Sequence, residues 1–89
     1  MPNETVWMVY ILRCSDRTLY TGVTTDPVRR LKQHNAGTGA RYTRARLPVT
    51  QVYLEQAAGR SEALKREYAI KKLTRIQKLA LIRKQRAWV

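Results

Sequence analysis

With 89 residues, 18 Lys and Arg against 6 Asp and Glu, and a formal net charge of +12, the chain is one small domain with a thin core. So basic a protein has nucleic acid as its expected partner; an anionic membrane surface is the alternative, but no apolar run is long enough to span a bilayer. The single cysteine, Cys14, excludes an internal disulfide, and with the single histidine, His34, it excludes zinc sites built from several Cys and His ligands, so any metal must be held by oxygen.

The start, MPNETVW, has neither the basic nor the apolar region of a signal peptide, so a cytoplasmic location is expected. Val6 to Leu12 is a continuous run of β-formers, Cys14 to Asp16 supplies turn chemistry, and Thr18 to Thr24 resumes the strand pattern, so a β-hairpin is predicted. Asp26 as N-cap and Pro27 in the first turn open a helix that runs through VRRLKQHN to Gly37. The segment AGTGARYTRARLP, with two glycines and a closing proline, reads as a charged loop. Val49 to Glu55 is a third strand, Ser61 caps a second helix to about Leu73, and Thr74 with Gln77 forms a capping box that opens a third. Gln85 to Val89 is expected to fray. The order ββαβαα implies an α+β domain spanning 1–89, with a core of roughly 5–84, in which a small three-stranded antiparallel sheet packs against helices.

Charge is uneven along this layout. From Gly59 onward ten basic and two acidic residues give +8, against eight basic and four acidic before it. The C-terminal third is therefore the expected backbone-gripping surface, although many of its lysines also serve to keep amphipathic helices soluble. No Walker loop, dinucleotide fingerprint or nucleophile elbow is present.

Three features point towards chemistry. A hairpin loop with an odd number of residues, such as Cys14 to Asp16 with Arg13 opposite Arg17, places Tyr10 opposite Tyr20; Gly22 then leaves a bare patch of sheet beside them for a substrate backbone. An even loop puts the tyrosines on opposite faces, and an ordinary aromatic cross-strand pair would read the same way. Arg30 and His34 lie four apart on one helix face, where they could converge on a phosphate or simply meet solvent. Glu67 falls inside the arc of Ala63, Leu64, Tyr68 and Ile70, where a carboxylate needs a partner: either Lys71 in a routine ion pair, or a hard cation completed by waters and phosphate oxygens.

The halves MVY (8–10) and YTG (20–22), Arg30 ten residues after Tyr20, His34 four later, and ALKREYAIK around Glu67 together resemble the GIY-YIG nuclease superfamily, and in particular its small standalone bacterial proteins. Met8, Val9 and Thr21 depart from the lettered positions but touch no side chain assigned to chemistry. The resemblance covers almost the whole chain. It implies a metal-dependent, structure-selective DNA endonuclease related to the catalytic subunits of junction nucleases, with a role in DNA repair. Tyr10 is then the general base, Arg30 stabilises the phosphoryl charge, Glu67 holds Mg2+ or Mn2+, and Tyr20 and His34 position groups or relay protons. Arg29, Arg41, Arg44, Arg46, Lys71 and Lys72 are expected to grip branched or single-stranded DNA, with or without a partner protein. The competing expectation is a basic module that binds nucleic acid with little or no cleavage; a ribosome-associated structural protein would leave Glu67 unexplained.

Overall fold

A computed structural model describes residues 5–86. Strands β1 (Trp7–Arg13), β2 (Leu19–Thr24) and β3 (Thr50–Ala57) form one antiparallel sheet in the order β2-β1-β3. Around it lie helices α1 (Pro27–Asn35), α2 (Arg41–Arg44), α3 (Arg60–Lys71) and α4 (Arg75–Arg86).

The central strand explains its own composition. Side chains alternate across β1, and both faces are covered, so the strand is apolar at nearly every position rather than at every second one. Val9 and Ile11 join Tyr53, Ala63, Ile70 and Ile82 on the face packed by α3 and α4. Tyr10, Leu12 and Cys14 join Val49 on the other face, where Tyr20, Leu31, Leu47 and Leu54 pack around them. Each fully buried aliphatic side chain here contributes about 1.5–3 kcal/mol. A bulge between Ile11 and Leu12 leaves Val52 as an extra residue in β3, and it packs with the α3/α4 cluster.

The hairpin corrects the expected register. The loop is odd, the parity that puts both tyrosines on one face, but it holds the five residues 14–18, so Arg13 faces Leu19 and Tyr10 faces Gly22, while Tyr20 faces Leu12. The two tyrosines share a face one pair apart rather than directly opposed. Local hydrogen bonds set this longer loop: Thr18 donates to Asp16 Oδ1 through both its backbone N–H (3.1 Å) and its hydroxyl (2.6 Å), and Arg17 takes the left-handed φ of 70° between them. The Thr18 bonds and then the Arg46 guanidinium hold the Asp16 carboxyl below its ordinary range.

Asp26 caps α1 as expected, its Oδ1 accepting from Arg29 N–H at 3.1 Å, with Pro27 opening the helix. The segment expected to be loop contains one helical turn, α2, so the order is ββααβαα. Helix α3 starts at Arg60 from Gly59, whose backbone is extended, and has no side-chain cap, so Ser61 lies inside the first turn; the helix ends at Lys71 rather than near Leu73. The capping box of α4 forms on both sides: Gln77 N–H donates to Thr74 Oγ1 at 3.2 Å and Thr74 N–H to Gln77 Oε1 at 2.9 Å. Gln85 is not a fraying residue. Its side-chain amide pairs with both the N–H and the carbonyl of Leu54, docking α4 on the exposed edge of β3. The rest of the expected fraying segment, beyond Arg86, lies outside the described residues.

Candidate active site

The site begins with a close approach that only glycine allows. A Cβ at Gly22 would stand 2.6 Å from Tyr10 Cζ and closer still to the hydroxyl, so the phenol ring lies directly over that position. The bare patch expected beside Tyr20 is therefore occupied by Tyr10 itself. Gly22 serves to seat the catalytic candidate rather than to admit a substrate backbone.

From β1 the Tyr10 ring reaches His34 on α1, where its hydroxyl lies 2.9 Å from Nε2. His34 is completely buried, and its Nδ1 lies 2.8 Å from Thr43 Oγ1 on α2. The Thr43 hydroxyl has one proton, and it donates that proton to the Ala40 carbonyl at 2.9 Å. Thr43 Oγ1 must then accept from His34 Nδ1–H, which leaves Nε2 unprotonated. Tyr10 O–H therefore donates to His34 Nε2, and all four groups point one way along the chain Tyr10, His34, Thr43, Ala40. Gly39 permits this seating, because a Cβ there would lie 2.5 Å from His34 Nδ1 and 2.9 Å from its Cα.

Electrostatics tune both ends of that bond. Burial raises the Tyr10 phenol above its ordinary 10.0, the facing Arg30 guanidinium pulls it back by hydrogen bonding and charge, and Tyr20 and Glu67 push it up again. Burial, then the charge of Arg30, lowers His34 below its ordinary 6.5, so the imidazole is neutral at physiological pH. Arg30 also donates to Gln33 Oε1 at 3.1 Å, which fixes the guanidinium along α1. Helix α1 thus presents Arg30 and His34 to the same phenol, as their spacing predicts.

Glu67 approaches from α3 and contributes to the field at Tyr10. Its side chain is 19% exposed, and Oε2 meets Lys71 Nζ at 3.3 Å. The apolar arc expected around it is only half formed: Ala63 and Ile70 are buried, whereas Tyr68 is 63% exposed and Leu64 is at the surface. No cluster of three or more His, Cys, Asp or Glu side chains exists among the described residues. The donor set fits a hard divalent cation that takes one carboxylate from the protein and its remaining oxygens from water and phosphate.

Tyr20 completes the wall. Its ring centroid lies 6.5 Å from that of Tyr10 and 5.5 Å from that of His34. Its other neighbour is Tyr42, stacked at 5.8 Å with 23° between planes, and the Arg46 guanidinium caps Tyr42 at 3.9 Å from the ring centroid. Arg46 is held in turn by Asp16 Oδ2 at 3.0 Å and by the Tyr42 carbonyl at 2.9 Å, while Ser15 N–H donates to the Arg46 carbonyl at 2.9 Å. The hairpin turn and α2 are thereby clamped together behind Tyr20.

The sequence assigned no part to Tyr42 or Thr43 and gave Asp16 only a turn role. The run RYTRAR is legible as charge, but only the one-turn helix shows that its threonine is buried against His34 and that its tyrosine, 38% exposed, stacks on Tyr20. Of the expected phosphate-gripping residues, Arg29, Arg41 and Arg44 are exposed without a side-chain partner among the described residues. The other three are engaged: Arg46 with Asp16 and Tyr42, Lys71 with Glu67, and Lys72 over the Tyr68 ring at 4.5 Å.

The family model described as the GIY-YIG catalytic domain matches residues 6–80. A UPF0213 protein from Desulfotalea psychrophila is 55% identical over 82 residues, covering 91% of this chain and 74% of the relative. Another from Halobacterium salinarum is 58% identical over 73 residues, covering 82% and 95%. Among solved structures, a solution NMR structure of a protein from E. faecalis aligns with a TM-score of 0.64 at 45% identity, covering 98% of this chain and 93% of that one. The NMR structure of the UPF0213 protein from Bacillus halodurans gives 0.56 at 44% identity, covering 86% and 82%.

Proposed function

The chain belongs to the GIY-YIG catalytic-domain family, and from that premise we propose that it is a metal-dependent endonuclease that hydrolyses DNA phosphodiester bonds, with a preference set by DNA structure rather than sequence. The observation that carries this reading is the directed hydrogen-bond chain from Tyr10 through His34 and Thr43 to Ala40, beside Arg30 and Glu67.

A phenol whose pKa is raised by burial is a weak base on its own. The direction of the chain resolves this. As the attacking water gives a proton to the Tyr10 oxygen, the Tyr10 proton passes to His34 Nε2, so the imidazole is the net base and the phenol hands the proton across. The imidazolium that forms keeps its Nδ1–H on Thr43, whose hydroxyl remains anchored on Ala40. The depressed pKa of His34 keeps it neutral and ready at pH 7. Arg30, near the same oxygen, is placed to neutralise charge on the phosphoryl group. Glu67 would hold the Mg2+ or Mn2+ ion, which when bound supplies positive charge at the leaving oxygen. Tyr20, backed by Tyr42 and Arg46, orients the Tyr10 ring.

The test is incubation of the purified protein with labelled single-stranded, duplex, flap and four-way-junction DNA in Mg2+, Mn2+ or EDTA. Cleavage of at least one branched substrate in either metal and none in EDTA is expected. Tight binding of all four with no cleavage in any condition would leave a nucleic-acid-binding module instead.

A further inference from the structure

Across the sheet from Tyr10 and His34 lies a groove that plays no part in the proposed chemistry. Its floor is Leu19, Val52, Leu79 and Ile82, and its rim is Arg13, Arg83 and Arg86. Leu19, Val52 and Ile82 belong to the cluster under α3 and α4, so the groove opens on the sheet face opposite Tyr10 and His34. It has a volume of about 320 Å³, and Arg13 and Leu79 also line a more polar cleft of about 550 Å³ that includes Arg17, Thr50 and Arg75.

Five arginines thus line these two neighbouring depressions. The ion pairs among the described residues, Arg46–Asp16, Arg66–Glu55 and Lys71–Glu67, involve none of them. Like charges gathered without an ion-pair partner among the described residues repel one another, and a bound polyanion removes that repulsion. The basic groups are all arginine, the residue that grips phosphate oxygens bidentately. The apolar floor adds a second requirement, because phosphate alone would leave Leu79, 36% exposed, without a partner. A nucleotide meets both, with its base on the aliphatic floor and its phosphates on the rim. Duplex DNA keeps its bases stacked inside and cannot use such a floor; an unpaired strand can.

We propose that this groove is a second, non-catalytic nucleic-acid site that holds a single-stranded segment, one base over Leu79 and Val52 and the flanking phosphates on Arg13, Arg83 and Arg86. The proposal deepens the nuclease reading and rests on it only for the identity of the polyanion. Holding an unpaired strand on the face away from Tyr10 and His34 would favour DNA in which single and double strands meet.

The experiment measures fluorescence anisotropy of labelled oligothymidylate, and of an abasic sugar-phosphate strand of equal length, in EDTA so that no cleavage intervenes. Arg83→Gln/Arg86→Gln should weaken oligothymidylate binding at least about 10-fold at 0.1 M salt and flatten the log–log salt slope by about 1.4, the share of two single-strand phosphate contacts. Leu79→Ser should weaken oligothymidylate binding several-fold more than binding of the abasic strand. Arg60→Gln/Lys65→Gln removes equal charge from exposed positions on α3 and serves as the control. If the groove pair weakens binding no more than this control, the proposal fails, and an acidic protein segment becomes the better occupant. If Leu79→Ser affects both strands equally, the seating of a base on the floor fails. A protein that binds through the groove but never cuts DNA would defeat the nuclease reading alone. One that cuts duplex while Arg83→Gln/Arg86→Gln binds oligothymidylate like wild type would defeat the groove alone.

Discussion

Replacing Thr43 with valine keeps the side chain's shape and removes one buried hydroxyl that makes two hydrogen bonds, accepting from His34 Nδ1–H at 2.8 Å and donating to the Ala40 carbonyl at 2.9 Å. Both Thr43 and His34 are fully buried, so water cannot step in. An orphaned buried N–H costs about 1–3 kcal/mol, and this sets the expected loss of stability. The imidazole can escape that cost by moving its proton to Nε2. That shift turns the Tyr10 bond around: Tyr10 becomes an acceptor and has no proton sink. DNA cleavage by Thr43→Val should therefore fall about 10²-fold or more, the scale of a lost general base, with DNA affinity unchanged. The imidazole 15N shifts report the tautomer directly, and they should show Nδ1–H in the wild type and a shift towards Nε2–H in the variant. An Nε2–H tautomer in the wild type, or a Thr43→Val protein that is destabilised yet cleaves normally, would refute the relay.

Gly22→Ala places a Cβ against the Tyr10 phenol; displacing the ring should cost about 1–3 kcal/mol in chemical denaturation and lower cleavage more than DNA binding. Tyr42→Ala removes the ring stacked on Tyr20 and the seat of Arg46; kcat should drop several-fold with little change in KM, whereas a purely structural role would move only the melting temperature. His34 has a lowered pKa in the folded state, so its contribution to stability is fully present above about pH 6.5 and is lost as pH falls from there towards its folded pKa. A urea-denaturation series should show that loss in the wild type and its absence in His34→Gln.

How much of this was readable without coordinates depended on the range of the interactions involved. The caps at Asp26 and Thr74 are local hydrogen bonds within three residues, and both form as the sequence indicates. The shared face of Tyr10 and Tyr20 follows once the loop is odd, which the sequence left open, and their offset follows because Asp16 and Thr18 draw the loop out to five residues. Arg30 and His34 converge because helical spacing requires it. By contrast, Thr43 and Tyr42 act across sequence separations that no periodicity encodes, and α2 is too short to leave a pattern. Gln85 was misread as a terminal polar residue for the same reason: its partner, Leu54, is 31 residues away.

Glu67 tests the central claim most directly, because its two roles predict opposite outcomes. The Lys71 pair is real but half exposed, at 3.3 Å with Lys71 51% accessible, and such a pair contributes under about 1 kcal/mol. Metal-dependent nicking and DNA affinity should be measured on one preparation of Glu67→Gln, with Lys71→Met beside it. If Glu67 is the metal carboxylate, Glu67→Gln should lose cleavage by about 10²-fold or more while binding DNA as well as the wild type or better, and Lys71→Met should still cut. Cleavage by Glu67→Gln at the wild-type rate would contradict the assignment.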